Sequence, residues 1–424
     1  MRDGYDLPGD APGQYMPLQT QRELPKAYFP DRLPPALEPS AAVMAEHGRA
    51  MWALGRLEGL GSEIDTPGAV FSSFVYKEAE QSSQVEGTAV TVSDIYRYEV
   101  GQLTADGSTA AHEADVQEAR NYISALDEAV NYLQTAGIDR DSITTDLIKS
   151  LHKELLAVGR SHDDDPHPGE YRPGLAAIEE TNPHGPGSRV RFIPPKPDSV
   201  PGLMDDLEAF IQGGSEWPAL IDIAVAHYQF ETIHPFADGN GRVGRLLVVL
   251  MLIACDLLHY PLLYLSSYIE RHRDEYADRL LAVSESGEWE AWLLFFLRGI
   301  REQAEEAFVR AKLLIEQRHT YETRYADAPN SVRQLALALF DDPYFTVPEA
   351  SDRIGVVYET ANTAVSRLEA DDVIAEITDN ERNRVFKATQ IMDIVERPAR
   401  DLPDPNDLVD IETAWRLPDR PNSE

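Results

Sequence analysis

Residues 234–245 read HPFADGNGRVGR and gather one His, one Asp, three Gly and two Arg between apolar segments. Gly239-Asn240-Gly241 can turn tightly and present backbone N–H groups just ahead of a helix expected to begin near Arg242. The N-terminus of a helix with free N–H groups is a seat for an anion such as phosphate. Arg242 and Arg245, three apart, share a helix face and add guanidinium donors for further phosphates. Asp238 beside such a seat suits Mg²⁺, which takes one or two carboxylates together with phosphate oxygens. His234, closing the preceding helix, can take a proton near neutral pH. A polyphosphate cradle, a metal and a base therefore fall within one short loop.

Other readings of this stretch fail on context. Gly239, Gly241 and Gly244 match G-x-G-x-x-G, but a dinucleotide fold needs a preceding strand. Here "ALIDIAVAHYQF" (residues 219–230) is helix-periodic. A Walker A loop needs a Gly-Lys pair, which the chain lacks, and no His-Glu-x-x-His marks a zinc protease. Two helices must therefore hold the loop, and the following segment, LLVVLMLIACDLL (residues 246–258), reads as core.

The elements around it read mostly as helix. Residues 1–40 are Pro-rich and aperiodic, an extended arm. Residues 41–107 are helical, and residues 108–317 form the domain that carries the loop. Within it, Gly/Pro-rich sequence with β-like ends "LAAI" and "VRFI" signals a hairpin near residues 174–193. Residues 331–390 read as a winged helix-turn-helix, and residues 399–424 as an acidic tail. The fold class is mainly α, with a β-hairpin flap and a small C-terminal winged-helix domain.

Bulk composition narrows the class. Asp and Glu number 73 against 38 Lys and Arg, a net charge of −35 spread along the chain. Such a surface repels itself and bare nucleic acid. It suits a halophilic protein in screening salt or an ordinary acidic cytosolic one. The single cysteine, Cys255, excludes an intrachain disulfide framework. No signal segment is apparent, and the longest apolar run falls short of the ~20 residues of a membrane span. A cytoplasmic protein without membrane contact is expected.

HPFADGNGRVGR resembles the signature of the Fic family, His-Pro-Phe-x-Asp/Glu-Gly-Asn-Gly-Arg-x-x-Arg, without a departure. "PGEYR", "AHYQFETIHPF" and "HRDEYADRLLAVSESGEWEAWLLFFL" extend the resemblance over most of residues 40–300. It implies an all-helical Fic fold with a hairpin flap, and transfer of AMP from ATP to a Ser, Thr or Tyr hydroxyl of a target protein. It implies that His234 is the general base and that Asp238 holds Mg²⁺ or Mn²⁺. Gly239, Asn240 and Gly241 would surround the α-phosphate, Arg242 would support the phosphates, and Arg245 would bind the γ-phosphate. Phe236 would anchor the loop, Tyr276 would line the adenine pocket, and the flap would pair with an extended target segment.

"SSQVEGT" (residues 82–88) resembles the family's inhibitory motif, Ser/Thr-x-x-x-Glu-Gly/Asn, with Ser82, Glu86 and Gly87 in register. Ser82 and Glu86 share a helix face, and Gly87 suits a helix end. The resemblance implies that Glu86 pairs with Arg245 and blocks the γ-phosphate site. It also implies a second role, in which the same Glu helps water remove AMP from the target.

The remaining candidates are weaker. "SHDDDPHPGE" (residues 161–170) reads as an acidic loop rather than a metal site, and His227 as a core histidine. In the winged helix, Arg382, Arg384 and Lys387 could meet DNA phosphate. Glu359, Glu369, Asp371 and Asp372 on and after the recognition helix oppose that. The alternatives are docking on protein or on a second copy of the chain. A DNA-binding regulator with a secondary Fic domain is the rival to a self-inhibited AMP transferase.

Overall fold

The computed structural model describes residues 11–18, 26–62, 67–99, 110–157, 167–181, 188–378 and 384–408. The chain divides into two compact units. The first holds Met1–Glu58 and Val75–Gln303, and the second holds Gly59–Phe74 and Ala304–Glu424.

The first unit is built of helices α1 (Ala41–Ser62), α2 (Pro67–Val85), α3 (Val92–Glu99), α4 (Ala110–Ala136), α5 (Thr145–Leu155) and α6 (Val200–Gly213), of which α1 and α2 also enter the second unit. Next come α7 (Ala219–Ile233), α8 (Asn240–Ala254), α9 (Ser266–Arg271), α10 (Arg273–Ser286) and the start of α11 (Trp289–Arg324). Two antiparallel strand pairs accompany them: β1 (Gly13–Met16) with β2 (Ala27–Pro30), and β3 (Ile178–Thr181) with β4 (Ser188–Phe192).

α7 and α8 form the centre. Both are apolar nearly all round, as a helix enclosed by others must be. Every residue from Arg242 to Ala254 is buried, and α7 exposes little beyond its first residue and Glu231. α7 packs against α6 and α8, while α8 packs against α4 and α5. Each Leu or Ile so enclosed contributes about 2 kcal/mol. The polar loop of residues 234–239 is thus strung between two firmly seated rods. α8 starts at Asn240, two residues ahead of the expected Arg242.

The N-terminal arm differs from expectation. Its residues 13–16 and 27–30 pair as strands, with Tyr15 opposite Tyr28. Tyr28 is fully buried against Phe192, and its N–H donates to the Ile193 carbonyl at 2.9 Å. Strands this short among prolines carry no visible period, so they read as irregular chain. The hairpin near residues 174–193 is present as β3 and β4, with a register shift between Ile178 and Glu179. Its tip, residues 182–187, lies outside the described residues.

The second unit contains the rest of α11, then α12 (Asn330–Ala338), β5 (Tyr344–Thr346), α13 (Val347–Ile354), α14 (Tyr358–Ala370), β6 (Ala375–Glu376), β7 (Val385–Lys387) and α15 (Thr389–Val395). The strands form one antiparallel sheet in the order β5-β7-β6. α13 opens on a capping box, in which Thr346 and Glu349 satisfy each other's backbone N–H groups. Residues 409–424, and with them most of the expected acidic tail, lie outside the described residues, as does Arg382.

Candidate active site

The site begins where α7 ends. His234 adopts the left-handed conformation, φ 50°, ψ 62°. A non-glycine residue there costs on the order of 1 kcal/mol or more. Pro235 follows, and a residue ahead of proline is disfavoured in the right-handed helical region. The turn is held by the His234 N–H on the Phe230 carbonyl at 2.9 Å and by Arg172 Nε on the His234 carbonyl at 2.8 Å.

The loop that follows is pinned at each residue that could sag. Phe236 is fully buried, with its ring stacked on His152 at 3.8 Å between centroids. The Asn240 side chain folds back, accepting from the Phe236 N–H and donating to its carbonyl, both at 2.9 Å. That amide is therefore spent on the loop, and only the backbone N–H of Asn240 is free to face a ligand. Gly239 sits at φ 74°, where a side chain would be strained. The first N–H groups of α8, on Asn240, Gly241 and Arg242, have no partner within the helix. Such N–H groups can seat an anion.

His152 went unnoticed in the sequence. Gly169 N–H donates to its Nδ1 at 2.9 Å, so Nε2 carries the proton and donates to the Asp238 carbonyl at 3.1 Å. Burial pushes this imidazole down to about 4, so the ring is neutral and the tautomer fixed.

Burial, then the positive charge of Arg172, pushes the His234 imidazole down to about 4; the Glu231 carbonyl, Glu86 and Asp238 pull the other way. Its Nδ1 is buried with no hydrogen-bond partner among the described residues. A neutral imidazole is the form a general base requires.

Arg245 is buried and faces α2. Its Nε and Nη2 donate to the Ser82 hydroxyl at 3.1 and 2.9 Å, and Nη2 also reaches the Ser82 carbonyl at 3.2 Å. Nη2 further donates to Glu86 Oε1 at 2.9 Å. Burial works against this charge, but Glu86, with Tyr122 and Glu78, outweighs it and holds the guanidinium protonated. Gly87, at φ 89°, ends the turn after α2. A Cβ on Gly241 would lie 2.8 Å from Glu86 Oε1 and 3.0 Å from Arg245 Nη1, so the close seating depends on glycine there.

Arg242 turns the other way, donating to Glu118 Oε2 of α4 at 3.0 Å and lying 3.7 Å from Asp238 Oδ2. Asp238 Oδ1 accepts from the Gly239 N–H at 2.7 Å, and its carboxylate is half exposed. One oxygen is thus left toward solvent beside the anion seat. Among the described residues no group of three or more His, Cys, Asp or Glu could hold a metal ion. The donor set fits a Mg²⁺ that arrives with a polyphosphate, and does not fit a resident ion held by protein alone.

A cavity of about 540 Å³ opens over this array. His234, Glu86, Gly241 and Arg245 line it, together with Tyr276 of α10 and Ile178 and Phe192 of the hairpin. The Tyr276 hydroxyl donates to His227 Nε2 at 2.9 Å, because His227 Nδ1 must donate to the Gly244 carbonyl at 3.2 Å. Both His227 nitrogens are satisfied, as in a core histidine.

Two further carboxyls near Arg245 were not seen in the sequence. Glu78, two turns before Glu86, is buried and accepts from Tyr122 at 2.9 Å and from Ser266. Burial raises it to about 7, against the pull of its hydroxyl donors and Arg245. Glu231 lines the cavity with Oε1 buried and unpartnered among the described residues, and burial raises it to about 7.

Of the basic residues of the second unit considered for DNA, Arg384 and Lys387 are engaged, and Arg382 lies outside the described residues. Arg384 pairs with Glu376 at 2.7 Å and with Glu369 at 3.4 Å, and Lys387 pairs with Glu396 at 2.9 Å. Arg367 of α14 pairs with Asp371 at 2.9 Å.

Comparison with known proteins gives this geometry a family. Residues 44–131 match the family model Fic/DOC family N-terminal, and residues 142–252 match Fic/DOC family. The chain thus carries a Fic/DOC family N-terminal domain and a Fic/DOC family domain. Proteins named protein adenylyltransferase Fic are similar to it. That of Drosophila melanogaster is 27% identical over 210 residues, covering 47% of this chain and 38% of that protein. That of Aedes aegypti is 26% identical over 204 residues, covering 47% and 35%. The match thus spans well under half the length of these relatives. The crystal structure of a Fic family protein from Desulfovibrio desulfuricans G20 aligns over 84% of this chain and 98% of its own, with TM-score 0.52 and 19% identity. That is a shared fold, mainly α with a small hairpin. No helix among the described residues is long and apolar enough to cross a membrane.

Proposed function

We propose that the chain is a nucleotidyltransferase that moves AMP from ATP onto a Ser, Thr or Tyr hydroxyl of a protein, and that it rests in a self-inhibited state. The observation that carries this reading is that the neutral His234 lines the same cavity as Gly241, in the first turn of α8. A hydroxyl entering between them loses its proton to His234 as its oxygen bonds to the α-phosphorus, and pyrophosphate leaves. The α8 N–H groups take up the charge on the α-phosphate oxygens. Arg242 would support the phosphates, and Arg245, once released by Glu86, would bind the γ-phosphate. Asp238 would hold Mg²⁺, which supplies charge neutralisation on the phosphates.

Tyr276, its hydroxyl fixed by His227, forms a wall suited to the adenine. The hairpin offers strand edges to an extended target segment. The Glu86–Arg245 pair occupies the guanidinium that the γ-phosphate needs, which supports inhibition by the α2 turn.

Removal of AMP is a second reading, favoured by one observation. Glu86 is 40% exposed at the cavity wall, where it can orient water. A DNA-regulator reading draws less support, because Arg384 and Lys387 are committed to carboxylates. The test is incubation with α-labelled ATP and cell lysate. Label that appears on protein and vanishes in His234→Ala supports transfer. Equal label in that variant overturns it.

A further inference from the structure

Arg172 follows the "PGEY" turn ahead of the hairpin and is 3% exposed. Its guanidinium donates to backbone carbonyls. Nε reaches His234 at 2.8 Å, Nη1 reaches Gly174 at 2.8 Å, and Nη2 reaches Ile233 at 3.4 Å and Pro195. The Arg172 backbone N–H donates to the Pro235 carbonyl at 2.9 Å. One residue therefore grips three consecutive carbonyls, 233 to 235, at the point where α7 becomes the loop. The same fork grips the chain just before β3, at Gly174, and just after β4, at Pro195.

No carboxylate among the described residues pairs with this cation. What compensates it is the carbonyl end of α7, where backbone dipoles favour positive charge. Burial still lowers the guanidinium to about 10. An isolated buried charge is expensive to keep, and a clamp meant only for packing could be built from neutral groups.

We propose that Arg172 is a positioning residue: its planar fork fixes the left-handed His234 and ties both roots of the hairpin to it, so that the imidazole and the flap share one frame. This rests on the reading of His234 as the base. The same charge faces the imidazole and helps keep it neutral. Glu86 at the end of α2 and Asp238 in the loop face that ring with the opposite sign.

Two variants of the full chain test this, Arg172→Lys and Arg172→Met. In both, kcat and KM for ATP are measured, and His234 is titrated by NMR with labelled histidine, its signal assigned through His234→Ala. Lysine keeps the charge but loses the fork. Its His234 titration stays near the wild-type position, kcat falls by about tenfold or more, as misplaced reacting groups do, and KM stays within about twofold. Methionine loses both, so kcat falls and the His234 titration also moves up. An unchanged titration in Arg172→Met overturns the proposal, and so does a wild-type kcat in Arg172→Lys. Wild-type transfer that is independent of His234 would sink the functional reading alone, because the titration arm needs no activity.

Discussion

Glu86 and Arg245 lie 159 residues apart in the chain, and the carboxylate of one accepts from the guanidinium of the other at 2.9 Å. The same Arg245 nitrogen is shared with the Ser82 hydroxyl one turn earlier on α2. The cation sits 4% exposed at its side chain while its partner is 40% exposed. The pair therefore has one buried half and one half that solvent can reach.

Glu86→Gly is expected to raise AMP transfer. An ion pair with one partner open to water contributes on the order of 1 kcal/mol, so the rate at low ATP rises roughly fivefold. Arg245→Ala should not mimic this, because it removes the γ-phosphate contact with the lock. The double change Glu86→Gly with His234→Ala should be inactive. Label incorporated from α-labelled ATP over time reads all four proteins, and equal rates for wild type and Glu86→Gly exclude inhibition by this pair.

His234→Ala is expected to abolish transfer while ATP binding stays within about twofold, since the ring takes a proton and holds no phosphate. The pH dependence follows from its folded value of about 4. The neutral ring is the active form, and it is lost only as pH falls through that value. On this group's account kcat should be flat from roughly pH 5 to pH 8. Stability has a different window. An unfolded histidine titrates near 6.5, so stability from the buried neutral ring is complete above that value. It declines as pH falls from there toward 4, because the unfolded chain then binds the extra proton. A kcat limb centred near 6.5 would contradict the assigned environment.

How much of this was readable beforehand depended on whether the chemistry is local in sequence. The loop between His234 and Arg245 was legible because its base, carboxylate, glycines and arginines are neighbours in the chain. The Glu86 link was legible only through a resemblance, since nothing in "SSQVEGT" itself points 159 residues away. Arg172, His152, Glu78 and Glu231 were not seen in these roles. His152 in "SLHKEL" and Glu78 in "YKEAEQ" look like ordinary helix residues, and only tertiary packing sets one on Phe236 and the other against Tyr122. The β1–β2 pair was missed because its order comes from Tyr28 packing on Phe192, not from any alternation.

Asp238→Ala is expected to lower transfer on the order of 100-fold, as loss of an electrostatic contact on a reacting phosphate does. The carboxylate is half exposed, partly spent on the Gly239 N–H and 3.7 Å from the Arg242 guanidinium. The wild-type protein should therefore bind Mg²⁺ weakly by itself and more tightly once ATP is present. Calorimetric titration of Mg²⁺ with and without a non-hydrolysable ATP analogue checks this. Tight, nucleotide-independent binding would mean that the ion has other ligands.

Glu231→Gln is expected to stabilise the fold at alkaline pH more than at acid pH. The carboxyl oxygen Oε1 is buried without a partner among the described residues, and a Cβ on Gly244 would lie 2.4 Å from it, so its seat is close-packed. Burial raises this acid to about 7. A raised carboxyl gives stability that is present below its unfolded value and lost as pH climbs through the folded one, because the folded state holds the proton that the unfolded state has released. Moving a titration by one pH unit on folding corresponds to about 1.4 kcal/mol, so the wild type carries a burden of up to roughly 3 kcal/mol above pH 7. Glutamine keeps the shape and carries no charge at any pH. The difference in Tm between Glu231→Gln and wild type should be small at pH 5 and widen by several degrees at pH 8. A difference that stays constant across that range would mean that Glu231 is already satisfied as a carboxylate, by a water or cation that reaches it through the cavity.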